Sequence, residues 1–184
     1  MSAKRTRLQR IEVAVAAGVL VAGIVPETAF GYGLWNYGYR SRSVCCNTVT
    51  NVSSGYVTPV SRAITAWNRA GTPCTFTGGS APYANILYTR SYADAWRGLY
   101  GVKTMSNSDP YHRCTSFFIL INRRICDAQS TNYKQSVVAH EIGHSYGLAD
   151  ITVGSALMNT NRNRNFIYTP QLDDKNGVAA SWAR

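Results

Sequence analysis

The sequence predicts an α+β domain in which a small, mixed, twisted sheet packs on helices. Three observations predict it. Strand-like and helix-like segments follow one another in the order strand, helix, strands, helix, loop, helix. The 184 residues suffice for one hydrophobic core and fall short of two. Hydrophobic residues make up 45% of the chain and charged ones 15%, a globular and not a disordered balance.

Taken in order, the first element expected is a strand over the tyrosine-rich segment Tyr32 to Arg42. A helix follows from Thr58 to Arg69, where Val60, Ile64 and Trp67 recur at helical spacing. Thr58 is its expected N-cap and Pro59 sits in its first turn. Gly71-Thr72-Pro73 stops it. Cys74 to Thr77 and Ala84 to Thr89 read as short strands divided by Gly78-Gly79-Ser80. Met105 to Arg113 is polar and reads as a loop, and the apolar run Phe117 to Asn122 carries the strongest strand signal. A second helix is expected from Thr131 to about Tyr146, stopped by Gly147. A third fits Pro170 to Trp182, with Asp173 and Asp174 in a first turn whose dipole favours acids.

The N-terminus reads separately. Lys4, Arg5, Arg7 and Arg10 precede the apolar run Val13 to Val25, which is the n-region and h-region pattern of a secretory signal peptide. That run is shorter than the roughly 20 residues of a membrane span. Ala29-Phe30-Gly31 supplies a small-x-small cleavage site. The expected organisation is a signal peptide over residues 1–31 and one domain over 32–184, secreted to the extracellular space without a stable membrane anchor. An uncleaved anchor is the alternative.

Removing residues 1–31 takes four of the 19 basic and two of the 9 acidic side chains, leaving a net charge of +8. Arg40, Arg62, Arg90, Arg123 and Arg162 lie in different segments, and no nucleic-acid-binding signature accompanies them. No specific nucleic-acid partner is therefore expected. The charge reads first as a solvated surface and second as a means of steering substrate.

Five cysteines suit an exported protein. Cys114 and Cys126 flank the apolar stretch from Phe117 to Ile121, and a disulfide between them is expected. Cys74 can pair with Cys45 or Cys46 but not both, which leaves one thiol over, and the sequence does not say which. None has the C-x-x-C spacing of a structural zinc site.

The stretch His140-Glu141-Ile142-Gly143-His144-Ser145-Tyr146-Gly147-Leu148-Ala149-Asp150 carries the chemistry. On a helix, residues i and i+4 share a face, so His140 and His144 can aim two imidazoles at one metal. Glu141 is turned about 100° around the axis, beside the metal and free to bond a metal-bound water. Gly147 allows a left-handed exit from the helix, after which Asp150 can return as a third ligand. Three protein ligands with an open fourth position make a catalytic zinc site, whereas structural sites close with four. Two stray histidines on a solvent-facing helix are the alternative. His112, in Asp109-Pro110-Tyr111-His112-Arg113, reads as a surface histidine, and Asp94 and Asp127 as surface charges.

From Lys134 to Trp182 the chain resembles the metzincin metallopeptidases. Their pattern is H-E-x-x-H-x-x-G-x-x-H or D, followed by a methionine turn. Ser155-Ala156-Leu157-Met158 is similar to the matrixin form of that turn, with Met158 as its packing methionine. Leu172-Asp173-Asp174 and Gly177-Val178 are similar to the C-terminal helix of matrixins, and Asp as third ligand is the snapalysin pattern. The resemblance implies a zincin/metzincin fold with the active-site helix below a cleft between sheet and helix. No matrixin pro-domain with its inhibitory cysteine is expected, because residues 32–184 have about the length of a catalytic domain alone. Where some metzincins place a ligating or oxyanion-binding Tyr, this chain has Thr160, which leaves Tyr168 as a distant candidate.

The function expected from motif and resemblance together is that of a secreted zinc-dependent metalloendopeptidase. It would hydrolyse polypeptide substrates through a Glu141-activated, zinc-bound water, using one catalytic Zn2+ ion and working as a monomer. Structural Ca2+ is compatible with the resemblance, but no calcium site is legible. The strand at Phe117 to Asn122 is the expected cleft edge, to which an extended peptide would add. A secreted zinc-binding or adhesion module that does not cleave is the rival of a different class, and intact Glu141 argues against it.

Overall fold

The computed structural model describes residues 31–79, 85–108, 110–111 and 113–183. The expected signal peptide lies outside the described residues save Gly31, and so do Asp109, His112 and Ala84. The described chain is a mixed α+β fold, with a five-stranded sheet and four helices.

The short strand β1 (Gly33–Leu34) opens it, followed by β2 (Ser43–Asn47) and helix α1 (Ser54–Asn68). Next come β3 (Thr75–Gly79), β4 (Ile86–Arg90), β5 (Gly98–Met105) and β6 (Cys114–Asn122). The four-residue helix α2 (Arg123–Cys126) leads to α3 (Thr131–Ser145), β7 (Leu148–Ala149) and α4 (Leu172–Trp182). The strand order is β3-β2-β4-β6-β5. Its first four strands are mutually parallel and β5 runs antiparallel to β6. Separately, β1 pairs antiparallel with β7.

The core explains the expected helices. Tyr56, Val60, Ala63 and Trp67 form the buried stripe of α1. The Trp67 indole N–H donates to the Ala139 carbonyl at 2.7 Å, which locks α1 against α3. Beneath them Val44, Phe76, Leu87, Ile119 and Ile121 form the sheet side of the core, against Val138 and Ile142 of α3. Helix α1 starts four residues before Thr58, because Ser53 is anchored from outside the local sequence. Its backbone N–H donates to Thr89 Oγ1 of β4 at 3.0 Å, and the two hydroxyls lie 2.9 Å apart.

Two expectations on strands are corrected. Of Tyr32 to Arg42 only Gly33–Leu34 is a strand, since only there does β7 offer a partner. The cleft edge is not Phe117 to Asn122: β6 lies between β4 and β5, so both its edges are already paired. The edge strand beside β6 is β5, whose Gly98, Gly101, Lys103 and Thr104 give no strand-like alternation. Its pairing with β6 makes it a strand.

The disulfides are corrected as well, for all five cysteines are free thiols. Cys114 opens β6 and Cys126 lies beyond its other end. The eight strand residues after Cys114 span about 26 Å at roughly 3.3 Å per residue, while bridged Cα atoms lie within about 7 Å. Cys114 Sγ instead meets the Tyr100 hydroxyl at 3.1 Å. Cys74 precedes β3, whereas Cys45 and Cys46 stand opposite Thr77 and Gly78. Each is therefore about 10 Å or more along the neighbouring strand, out of bonding reach. Burial pushes the Cys126 thiol up to about 11 and keeps it unreactive. Non-reducing peptide mapping is expected to recover Cys114 and Cys126 in separate peptides, and a linked pair would contradict this strand arrangement.

Candidate metal centre

Helix α3 begins cleanly because the Ser130 side chain accepts the Tyr133 N–H. Two turns on, it projects His140 and His144 from one face, with ring centroids 4.8 Å apart. It ends where Gly147 turns left-handed at φ +91°. A side chain at Gly147 would also strike the Ser181 hydroxyl of α4. The chain then pairs with β1 through Leu148 and Ala149, which delivers Asp150 over the histidines. Asp150 Oδ1 lies 3.0 Å from His140 Nε2 and 3.8 Å from His144 Nε2. All three donor atoms fall within 4.8 Å of one another.

The outer nitrogens of both rings are held by backbone. His144 Nδ1 stands 2.8 Å from the Leu148 carbonyl, and His140 Nδ1 stands 3.0 Å from the Leu157 carbonyl. A proton on each Nδ1 leaves each Nε2 lone pair for a metal. Trp35 stacks on His144 at 4.9 Å and 14°, fixing that ring from the open side. Burial first, and the neighbouring His140 second, push His144 down to about 4, so it is neutral near physiological pH. Burial works to raise the Asp150 carboxyl, yet its hydrogen bond and proximity to His140, with His144 and Arg162 near, hold it below the usual range. Two imidazoles and one carboxylate on a common point form a donor set that suits a catalytic zinc.

The support beneath the site comes from α4. Buried Asp174 accepts the Leu157 N–H at 2.7 Å and the Met158 N–H at 3.0 Å. It also accepts the Gln171 N–H at 2.7 Å within a capping box. Asp174 thus fixes the peptide whose carbonyl orients His140. Met158 is buried under α3, and a Cβ at Gly143 would lie 2.5 Å from its sulfur. Glycine is what lets the sulfur pack there.

Glu141 points between helix and sheet edge. It is buried, and any side chain at Gly98 of β5 would collide with its carboxylate. The Tyr100 N–H donates to that carboxylate. Burial, with Asp150 adding to it, pushes Glu141 up to about 7 against the opposing pull of His140, Arg162 and Tyr100. A carboxyl poised there exchanges a proton readily at neutral pH.

The cleft over these groups has a volume of about 280 Å³ and is walled by Gly98, Leu99 and Tyr100 of β5 on one side. Thr160 lines it, and Tyr168 does not. Tyr168 lies in a separate depression with Arg69 and Gln135, so it is no substitute for the missing tyrosine. Arg162 was not legible in the sequence. Its buried guanidinium donates to Ser136 Oγ at 3.0 Å, the Ser136 carbonyl at 2.9 Å and the Asn159 carbonyl at 2.9 Å. It also stands 3.2 Å from His140 Nδ1. A guanidinium only donates, so this contact and the Leu157 bond belong to alternative His140 tautomers, of which metal binding at Nε2 requires the Leu157 one. No sequence signal marks Trp35 or Gly98 either. Asp174 could have been found from its place three residues after Gln171.

No protein-family model matches the chain, and no curated protein matches it either. Among the solved structures its fold matches one titled "GM1 bound form of the ECX AB5 holotoxin", with a TM-score of 0.51 and 15% sequence identity. The match covers 82% of this chain and 86% of that one. At such identity the likeness shows the fold alone. The matrixin-like and snapalysin-like assignment is corrected accordingly, together with the zincin/metzincin fold name. Its support was a short motif and a methionine turn, which no family model extends, and the matching structure is titled as a holotoxin. What stands is a mixed α+β fold whose motif residues meet at one point.

Proposed function

We propose that this chain is a secreted, zinc-dependent metalloendopeptidase. The observation that carries the reading is the convergence of His140, His144 and Asp150 beside a buried Glu141, at the floor of an open cleft. His140 Nε2, His144 Nε2 and one Asp150 oxygen would hold the ion. Zinc bound there would polarise a scissile carbonyl and make a water molecule more acidic. Glu141 takes the proton of the attacking water at a carboxylate oxygen and passes it to the leaving amine. Trp35 and the two backbone carbonyls keep the imidazoles from turning as charge shifts at the metal.

The edge strand β5 supports an extended polypeptide as substrate. Leu99 is exposed there, and Gly98, Leu99 and Tyr100 wall the cleft beside Glu141. Main-chain bonds to an edge strand accept many sequences, which suits cleavage within unfolded or loop segments. Secretion rests on the basic and apolar pattern of residues 1–31.

Casein hydrolysis by the purified protein tests the reading. Activity is expected, with loss on chelation and recovery on adding zinc. A zinc-loaded protein that cleaves nothing across a broad protein panel would refute it and favour the non-cleaving zinc-binding module.

A further inference from the structure

The cleft is unevenly charged. Arg97 stands at the start of β5 and Arg164 lies on the loop between Met158 and α4. Both meet at Tyr133, two turns before the metal-facing part of α3. Arg97 Nε donates to the Tyr133 hydroxyl at 2.6 Å, and the Arg164 guanidinium lies 5.9 Å from the centre of the same ring. Arg97, Arg162 and Arg164 all line the cleft, while its acidic lining residues are Glu141 and Asp150. Among the described residues no ion pair engages any of the three arginines. Arg164 donates to the Thr160 carbonyl at 3.0 Å, a neutral acceptor weaker than a carboxylate. Burial and the charge of Arg97 hold Arg164 below its usual range, and burial and the charge of Arg164 do the same to Arg162. The like charges therefore oppose one another, and an incoming anion relieves that repulsion.

Direction follows from the sheet. Antiparallel pairing is the stronger kind per residue. A peptide added antiparallel to β5 runs its C-terminal half towards the start of that strand, where Arg97 stands. Arg97, Arg164 and Glu141 line the same cleft, so the basic pole shares it with the reacting bond. We propose that Arg97 and Arg164 form a subsite that selects an aspartate or glutamate immediately after the scissile bond. The inference rests on the peptidase reading and names the substrate class of the same cleft. Bidentate binding of a carboxylate by a guanidinium supplies the recognition, and Tyr133 holds both side chains in place.

The test is a peptide library randomised on both sides of the cleaved bond, incubated with the zinc-loaded protein, with cleavage sites read by mass spectrometry. Asp and Glu are expected to exceed Lys and Arg after the cleaved bond by about tenfold in rate. Arg164→Glu should invert that preference. Arg97→Glu, at an exposed residue that folding tolerates more easily, should weaken it. Cleavage without acidic enrichment at that position, or enrichment that survives both reversals, overturns the subsite while leaving the peptidase reading intact. Absence of any cleavage overturns both.

Discussion

Glu141→Gln is expected to lower peptide hydrolysis by about two to four orders of magnitude, the range of a lost general base, with zinc content unchanged. Glutamine keeps the shape of the side chain and can still accept the Tyr100 N–H, but it has no site for the proton of an attacking water. Gly98 continues to leave room for it. Neither His140, His144 nor Asp150 is altered, so the metal should stay. Because the lost interaction belongs to the transition state, kcat should fall while KM stays near its wild-type value. The measurement pairs steady-state kinetics on a peptide substrate with zinc determination on the same sample. Full activity in the variant would remove Glu141 from the chemistry, and joint loss of activity and zinc would make it a structural residue.

The parts of this site legible in the sequence are those fixed by local geometry. Histidines four apart on a helix share a face wherever the helix sits, and Gly147 signals a chain reversal through its own backbone freedom. The main helices were legible for the same reason, from apolar spacing such as Val60, Ile64 and Trp67. What stayed hidden depends on partners remote in sequence. β5 has a strand's pairing without a strand's pattern, and only β6 makes it the wall of the cleft. Ser53 starts α1 because Thr89 reaches it. The cysteines illustrate the converse error: proximity along the chain suggested a bond between Cys114 and Cys126, but an extended strand sets them far apart. The family resemblance erred similarly, extending a local pattern to the whole chain.

Remote contacts also explain how His140 is held. α4 presents Asp174 to two consecutive N–H groups, the peptide so fixed offers the Leu157 carbonyl, and that carbonyl orients the ring. Support of this kind is worth about 10- to 100-fold in metal affinity at characterised sites. It needs a complete set of direct ligands to act on.

Asp150→Ala is accordingly expected to lose more zinc affinity than that support supplies, beyond about 100-fold, since it removes a donor and not its support. Asp150 is the one carboxylate in a set otherwise made of two imidazoles, so its loss also removes most of the electrostatic attraction for a dication. Unlike the histidines it is half-exposed and, among the described residues, its side chain makes no structural hydrogen bond beyond them, so the fold should survive. Zinc retention after dialysis against a competing chelator, compared between wild type and variant of matched thermal stability, measures the effect. A variant that keeps its zinc would place the third ligand elsewhere. One that loses zinc but regains hydrolysis at high zinc concentration would assign Asp150 to metal capture, and leave the proton shuttle with Glu141.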